Sequence, residues 1–192
     1  IQKSGSQHVT ITGYVDQLDN FTYNQALSAQ RANTVADLIA KNGVALLVRK
    51  TPAKIRLKKD ELCNILDRLQ KDGINTIYLQ TRTRGAVIYP SAIEPWDGAL
   101  TGRYDKHPGY DPLAFAIEEC HKRGMECHAW LVTIPAFKIP DAKALGKKSL
   151  YYTHPKLLYK KNGSYYMDPS KQGTADYLER LCREIVSRYD ID

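Results

Sequence analysis

A mixed α/β chain, in which one βα unit precedes part of a (β/α)8 barrel, is predicted by three observations. Val9 and Ile11 alternate with His8, Thr10 and Thr12 ahead of a helix-periodic run, the pattern of a half-buried strand followed by an amphipathic helix. Two further apolar runs, residues 76–79 and 127–132, each follow a helical pattern that ends in glycine. Between them, residues 78–132 read as strand, long polar and aromatic loop, amphipathic helix and strand, so the polar and aromatic groups gather at strand ends.

Composition bounds this architecture. The chain has 192 residues, 43% hydrophobic and 26% charged, enough for one good core or two small ones. A closed eight-stranded barrel takes about 250 residues, so only its first three to four βα units are expected. The formal charge of +7 favours acidic partners, among them nucleic acid, anionic lipid and anionic cell-wall polymer. Scattered lysines speak against nucleic acid. No apolar run approaches the roughly 20 residues of a membrane span, so no transmembrane segment is expected. The opening IQKSGSQ is neither a secretory signal nor a methionine start, and reads as an internal piece. Cys63, Cys120, Cys127 and Cys182 contain no CxxC pair and lie mostly in apolar patterns, which reads as small buried hydrophobes and not as a metal site or disulfide framework. No metal or other cofactor is expected.

The elements follow in order. Residues 8–14 form the first strand and 16–22 a polar turn. Leu27, Arg31, Val35, Leu38 and Ile39 then recur at helical spacing until Asn42-Gly43. Residues 1–44 are therefore one unit. Residues 45–192 are the second: a short apolar run at 45–48, a basic proline-containing stretch at 49–59, and a helix carrying Leu62, Ile65, Leu66 and Leu69 that stops at Asp72-Gly73. A strand at 76–79, a helix with Leu113, Ala116, Ile117 and Cys120 on one face, a stop at Gly124 and a strand at 127–132 complete the alternation that argues a parallel sheet. Leu178, Leu181, Ile185 and Val186 mark a last helix.

The run ITGYVDQLDNFTYNQALSAQRANTVADLIAKNGV resembles the central part of the OmpA-like peptidoglycan-binding domain. That resemblance implies that Asp16 and Arg31 clamp the amine and carboxylate of the diaminopimelate in the peptide stem. The chemistry suits a zwitterion, because a guanidinium holds a carboxylate through paired hydrogen bonds. Asn24, Leu27, Ser28 and Ala32 stand where the motif has them. Val15 replaces its threonine, the turn lacks its glycine, and roughly half of the domain has no counterpart here.

Three longer runs, QTRTRGAVIYPSAIEPW, LTG with GYDPLAFAIEECHKRGMECHAWL, and YMDPSKQGTADYLERLCREIVSRYDID, are similar to the glycoside hydrolase-like 10 family. The resemblance implies a (β/α)8 TIM barrel, hydrolysis of O-glycosidic bonds, peptidoglycan glycan as the polymer, and a cell-envelope location, periplasmic or outer-membrane associated. The residues agree in kind: a glycosidase needs two carboxyl groups around the scissile bond, and aromatic faces and planar donors to hold sugars. At strand ends and loops the chain offers Arg82, Arg84, Tyr89, Trp96, Asp97, His128 and Trp130 to bind substrate, with Glu94 and Asp168 as the carboxylates nearest to it. Other roles compete. Trp96 after Pro95 also suits loop packing, and Asp168-Pro169 is a helix-start signal. His128 and Trp130 alternate on one strand and share a face, the inner one if Cys127 and Ala129 meet the helices.

Two departures bear on activity. The family loop carries an aspartate where Ala86 stands. The RYDID run opens a strand that in the family continues to a carboxylate-bearing tip, whereas this sequence stops at Asp192. The expectation is a fragment inactive on its own, with the catalytic residues beyond Asp192 and open sheet edges inclined to self-association. A non-catalytic peptidoglycan-binding module, and a composite or partial gene product without activity of its own, are the alternatives.

Overall fold

The computed structural model describes the backbone of Val44–Leu47 and residues 59–99 and 101–192. The strand and helix expected within residues 7–44, with Asp16 and Arg31, lie outside the described residues, as does most of the basic stretch. The chain divides into two compact units, Ile1–Val44 and Ala45–Asp192, and the second carries the features below.

Strand β1 (Val44–Leu47) precedes helix α1 (Lys59–Lys71), which has Asp60 and Glu61 in its first turn and Arg68 and Lys71 in its last, charges that complement the helix dipole. Leu62 and Leu66 face the core. The helix ends where the Gly73 N–H bonds the Gln70 carbonyl (3.0 Å) and the Ile74 N–H bonds the Leu69 carbonyl (2.9 Å), a closure that needs the left-handed φ of 81° at Gly73. Helix α2 (Pro112–His121) begins on Asp111, whose Oδ1 accepts the Leu113 and Ala114 N–H groups at 3.1 Å. It closes as α1 does, through Gly124 N–H to His121 and Met125 N–H to Cys120, both 3.0 Å.

Strands β2 (Thr76–Thr83) and β4 (Glu126–Leu131) leave these two closures and pair in parallel, with Ile77 opposite Cys127 and Tyr78 opposite His128. Period-two alternation sorts their side chains. Ile77, Leu79 and Cys127 join Leu62, Leu66, Leu113, Ala116 and Ile117 in one buried cluster. Tyr78, Gln80, His128 and Trp130 take the other face.

Strand β3 (Ala86–Val87) folds back on β2, pairing Val87 with Arg82 and Ala86 with Thr83. Arg84 and Gly85 fill this two-residue turn with φ of 52° and 70°, a type I′ hairpin where the sequence predicts open loop. A Cβ on Gly85 would come within 3.2 Å of the Phe137 ring.

The second departure is larger. Where further parallel βα units are expected, β5 (Pro135–Lys138), β6 (Leu158–Lys161) and β7 (Ser164–Met167) form a separate antiparallel sheet in the order β5-β7-β6. Strands of four residues are too short for hydrophobic periodicity to expose them. Among the described residues the parallel pairing with a set register is β2 with β4. Helix α3 (Leu150–Thr153) and helix α4 (Gln172–Val186) pack on this sheet's inner face, where Phe137, Leu145, Leu150, Met167, Tyr177 and Leu181 form a second buried cluster.

The buried stripe of α4 is Thr174, Tyr177, Leu181 and Ile185; of the other predicted positions Leu178 is partly buried against the second cluster, whereas Val186 is 63% exposed. The cysteines also divide. Cys120 and Cys127 are buried, but Cys63 is half-buried, its thiol 3.4 Å from Glu119 Oε2, and Cys182 is exposed, so the reading of four buried hydrophobes holds for two.

Candidate functional site

The β2–β4 pair and the segments around it carry three clusters built from different chemistry. At the first, the β2–β4 register shifts between Gln80 and Arg82, and Thr81 and Arg82 are both fully buried there. Arg82 forks onto Glu94, with Nε 2.9 Å from Oε2 and Nη2 2.7 Å from Oε1, and neither side chain is exposed. Its Nη1 donates to the carbonyls of Val132 and Thr133, the latter at 3.0 Å, and Tyr177 Oη donates to Glu94 Oε1 at 3.1 Å. Burial opposes the charge on Arg82, and the Glu94 carboxylate more than restores it. The Tyr177 hydroxyl is pushed well above its ordinary value by burial and by Glu94. This network ties the ends of β2 and β4 to the 88–97 loop and to α4.

The second cluster centres on Glu184 of α4. It accepts from Tyr89 Oη at 3.0 Å, from Ser91 Oγ at 2.5 Å and from the Ala92 N–H, so one carboxylate fixes the Tyr-Pro-Ser loop. Arg188, in the turn just past the end of this helix, donates to the Pro90 carbonyl. Burial and the neighbouring Glu184 hold the Tyr89 hydroxyl protonated, its pKa far above the usual range.

The third is the face of β2 and β4 turned away from the helices. Tyr78 and His128, directly opposite in register, stack with centroids 4.9 Å apart and planes 20° from parallel. Gln80 and Trp130 are the next pair along, and all four are partly exposed. His128 Nε2 lies 3.1 Å from Glu126 Oε2. Rings with one open side, an amide and an imidazole make a surface that stacks on and hydrogen-bonds to a polyol.

The predicted residues are thus distributed unequally. Arg82 and Glu94 meet each other, and His128 and Trp130 share a face as the alternation implied. Tyr89 is bound to Glu184. Trp96 is nearly buried with its ring edge-on to His107 at 5.0 Å, and Asp97 Oδ1 accepts the Ala99 N–H at 2.8 Å. Arg84 stands exposed at the hairpin tip, with no side-chain hydrogen bond or ion pair among the described residues. Asp168 does not cap α4; its carboxylate takes the Ser170 hydroxyl at 2.7 Å and N–H at 3.0 Å in the turn before the helix. Those bonds lower its pKa, which favours the carboxylate over the proton-donating acid. Sequence reading missed Glu184 and Tyr177. Their signal is the seven-residue spacing that puts both on the apolar side of α4, where an acid needs a partner.

Residues 38–192 match the family model described as Glycosyl hydrolase-like 10, and residues 1–51 match that of the OmpA family. The chain is 32% identical over 149 residues to glycosyl hydrolase DigH of Escherichia coli strain K12, covering 73% of this chain and 34% of that protein. Over 144 residues it is 35% identical to glycosyl hydrolase YngK of Bacillus subtilis strain 168, covering 74% of this chain and 28% of the relative. The chain therefore spans about a third of the length of the curated relatives it matches.

Proposed function

Because the chain belongs to the Glycosyl hydrolase-like 10 family, we propose that residues 45–192 are the glycan-holding part of a (β/α)8 glycoside hydrolase that acts on peptidoglycan strands. The observation that carries this reading is the face of Tyr78, Gln80, His128 and Trp130, on which no helix packs among the described residues and which is backed on its other side by α1 and α2. Parallel strands with helices on one side and ring and amide side chains on the other are what a barrel's inner wall presents, leading up to the C-terminal ends of the strands where such enzymes bind substrate. In this reading Trp130 and His128 hold sugar rings and the exposed Arg84 borders the path, while the buried Trp96 and Asp97 hold the loop beside it. Arg82 shapes the strand ends from below, and Tyr89 fixes the loop.

Neither carboxylate candidate suits the acid of a glycosidase. Glu94 is sealed by Arg82 and Tyr177, and Asp168 is held as an anion by Ser170. The carboxyl pair is assigned to the part of the relatives' length outside the match, so the chain alone binds without turnover. Incubation with peptide-free peptidoglycan glycan, following reducing ends and retention together, tests both halves. Retention without turnover is expected, and Trp130→Ala lowers retention. Turnover comparable with a full-length relative overturns the assignment of the carboxyl pair; absence of retention overturns the glycan reading.

A second reading rests on the OmpA match over residues 1–51: a peptidoglycan-binding module of the cell envelope, periplasmic or outer-membrane associated, in which Asp16 and Arg31 grip the peptide stem. Co-sedimentation with intact sacculi compares the chain with Asp16→Ala and Arg31→Ala. Equal retention removes the clamp.

A further inference from the structure

The β5-β7-β6 sheet has an inner face committed to the second core and an outer face with no element packed on it among the described residues. Register assigns the outer side chains. Tyr159 is opposite Tyr166, and Lys161 is opposite Ser164, which is opposite Lys138 on β5. Phe137, Tyr165, Met167 and Leu158, one residue out of step, point inward to the core. The outer face therefore presents a row of two tyrosines beside a row of two lysines.

The tyrosine rings stack with centroids 5.6 Å apart and planes 25° from parallel, and Tyr159 remains 39% exposed. Lys138 and Lys161 form no ion pair among the described residues, and the three strands, PAFK, LYKK and SYYM, contain no acidic residue. The nearest acid in sequence, Asp168, is turned onto Ser170. Lys160, on the inner side, is already over the Tyr165 ring at 5.4 Å. Positions two apart on one strand are about 7 Å apart, so a sugar lying on the ring row brings a substituent of its own within reach of the lysine row. Aromatic faces take the C–H faces of sugars, and lysines on flexible stems take carboxylates as point charges.

We propose that this outer face is a second binding surface, distinct from the β2–β4 face, for glycan chains that carry carboxylate groups. The inference rests on the glycan reading above and names the substrate chemistry at a separate place. Neutral glycan satisfies the rings alone; a carboxylated one satisfies both rows. The site has no part in bond cleavage and adds hold along the polymer, as linked weak sites do.

The test is affinity electrophoresis of the full chain through peptide-free peptidoglycan glycan, whose lactyl carboxylates are free, and through the same glycan with those carboxyls reduced to alcohols. The wild-type chain is expected to bind the carboxylated form about three- to tenfold more tightly, the range two exposed charge pairs supply, with the difference shrinking as salt rises. Lys138→Glu with Lys161→Glu abolishes the preference, Tyr159→Ala with Tyr166→Ala weakens binding to both glycans, and Trp130→Ala leaves the preference intact. If the sheet variants bind as wild type while Trp130→Ala does not, this inference falls and the β2–β4 reading stands. If the wild-type chain binds neither glycan, the glycan reading itself falls. Equal retention on polyglutamate or duplex DNA, unaffected by loss of the tyrosines, marks an indiscriminate basic patch and also overturns the proposal. Unchanged circular dichroism of the lysine variant separates lost binding from lost folding.

Discussion

The two faces of the β2–β4 pair are made by the same strands and differ in nearly every physical respect. The helix side carries Ile77, Leu79 and Cys127, each at most 4% exposed, against aliphatic side chains of α1 and α2. The other side carries Tyr78, Gln80, His128 and Trp130, all partly exposed and capable of hydrogen bonding. The first face holds the unit together, because burying aliphatic area is the dominant favourable contribution to folding. The second leaves its rings and polar groups available. Arg82 stands at the point where the register shift ends this division, and there polarity is buried and satisfied in full.

The comparison can be broken most forcefully at that point. Arg82→Met leaves the Glu94 carboxylate buried without its cation and is expected to cost about 3–5 kcal/mol in urea denaturation. Adding Glu94→Leu recovers part of this, since no buried charge remains. Recovery stays incomplete because Tyr177 and the Val132 and Thr133 carbonyls lose partners. A loss below about 1 kcal/mol for the single variant would show that water reaches the pair.

Next in size is the contrast between faces. Ile77→Ala is expected to cost about 2–5 kcal/mol, and Trp130→Ala distinctly less while lowering glycan retention. Equal costs would erase the distinction. Glu184→Gln, which keeps the shape but weakens the Tyr89, Ser91 and Ala92 bonds, is expected to cost about 1–3 kcal/mol and to loosen the 88–97 loop in hydrogen exchange.

The helix side also carries an acid-sensitive link. Glu119 accepts from Lys122 and Arg123, and these bonds lower its pKa from 4.5 to about 2. A depressed carboxylate stabilises the fold fully above its unfolded value and loses that contribution as pH falls through the folded one. Acid denaturation curves should therefore show a decline between roughly pH 4.5 and 2 that Glu119→Gln removes. The smallest effect is expected at Arg84, whose left-handed φ of 52° disfavours a side chain. Arg84→Gly should stabilise by less than about 1 kcal/mol, the relieved strain being offset by the freer unfolded chain. A clear destabilisation would mean that the guanidinium has a structural partner.

Elements with six or more residues were legible because periodicity accumulates with length. Helices α1, α2 and α4 and strands β2 and β4 stand where hydrophobic spacing and glycine stops place them. Strands β3, β5, β6 and β7 were not, since two to four residues carry no measurable period, and Tyr-rich or Lys-rich strands such as SYYM and LYKK have no apolar alternation. The rotated stripe of α4 has a related cause. Tyr177 and Thr174 count as polar in a sequence pattern but bury well when a partner accepts their hydroxyls, as Glu94 and the Asp168 carbonyl do here.

The same holds for the candidate site. Alternation within one strand was enough to put His128 and Trp130 together, whereas nothing in the spacing of Arg82 and Glu94 reveals that they close on each other. By itself the sequence determined the order of the long elements, the two helix stops at Gly73 and Gly124, and the family resemblance, all of which depend on neighbours a few residues apart or on motif identity. Tertiary structure decided which polar groups are spent on each other and which remain open. That choice depends on residues 12 to 95 positions apart meeting in space, as Arg82 with Glu94 and Tyr89 with Glu184 do.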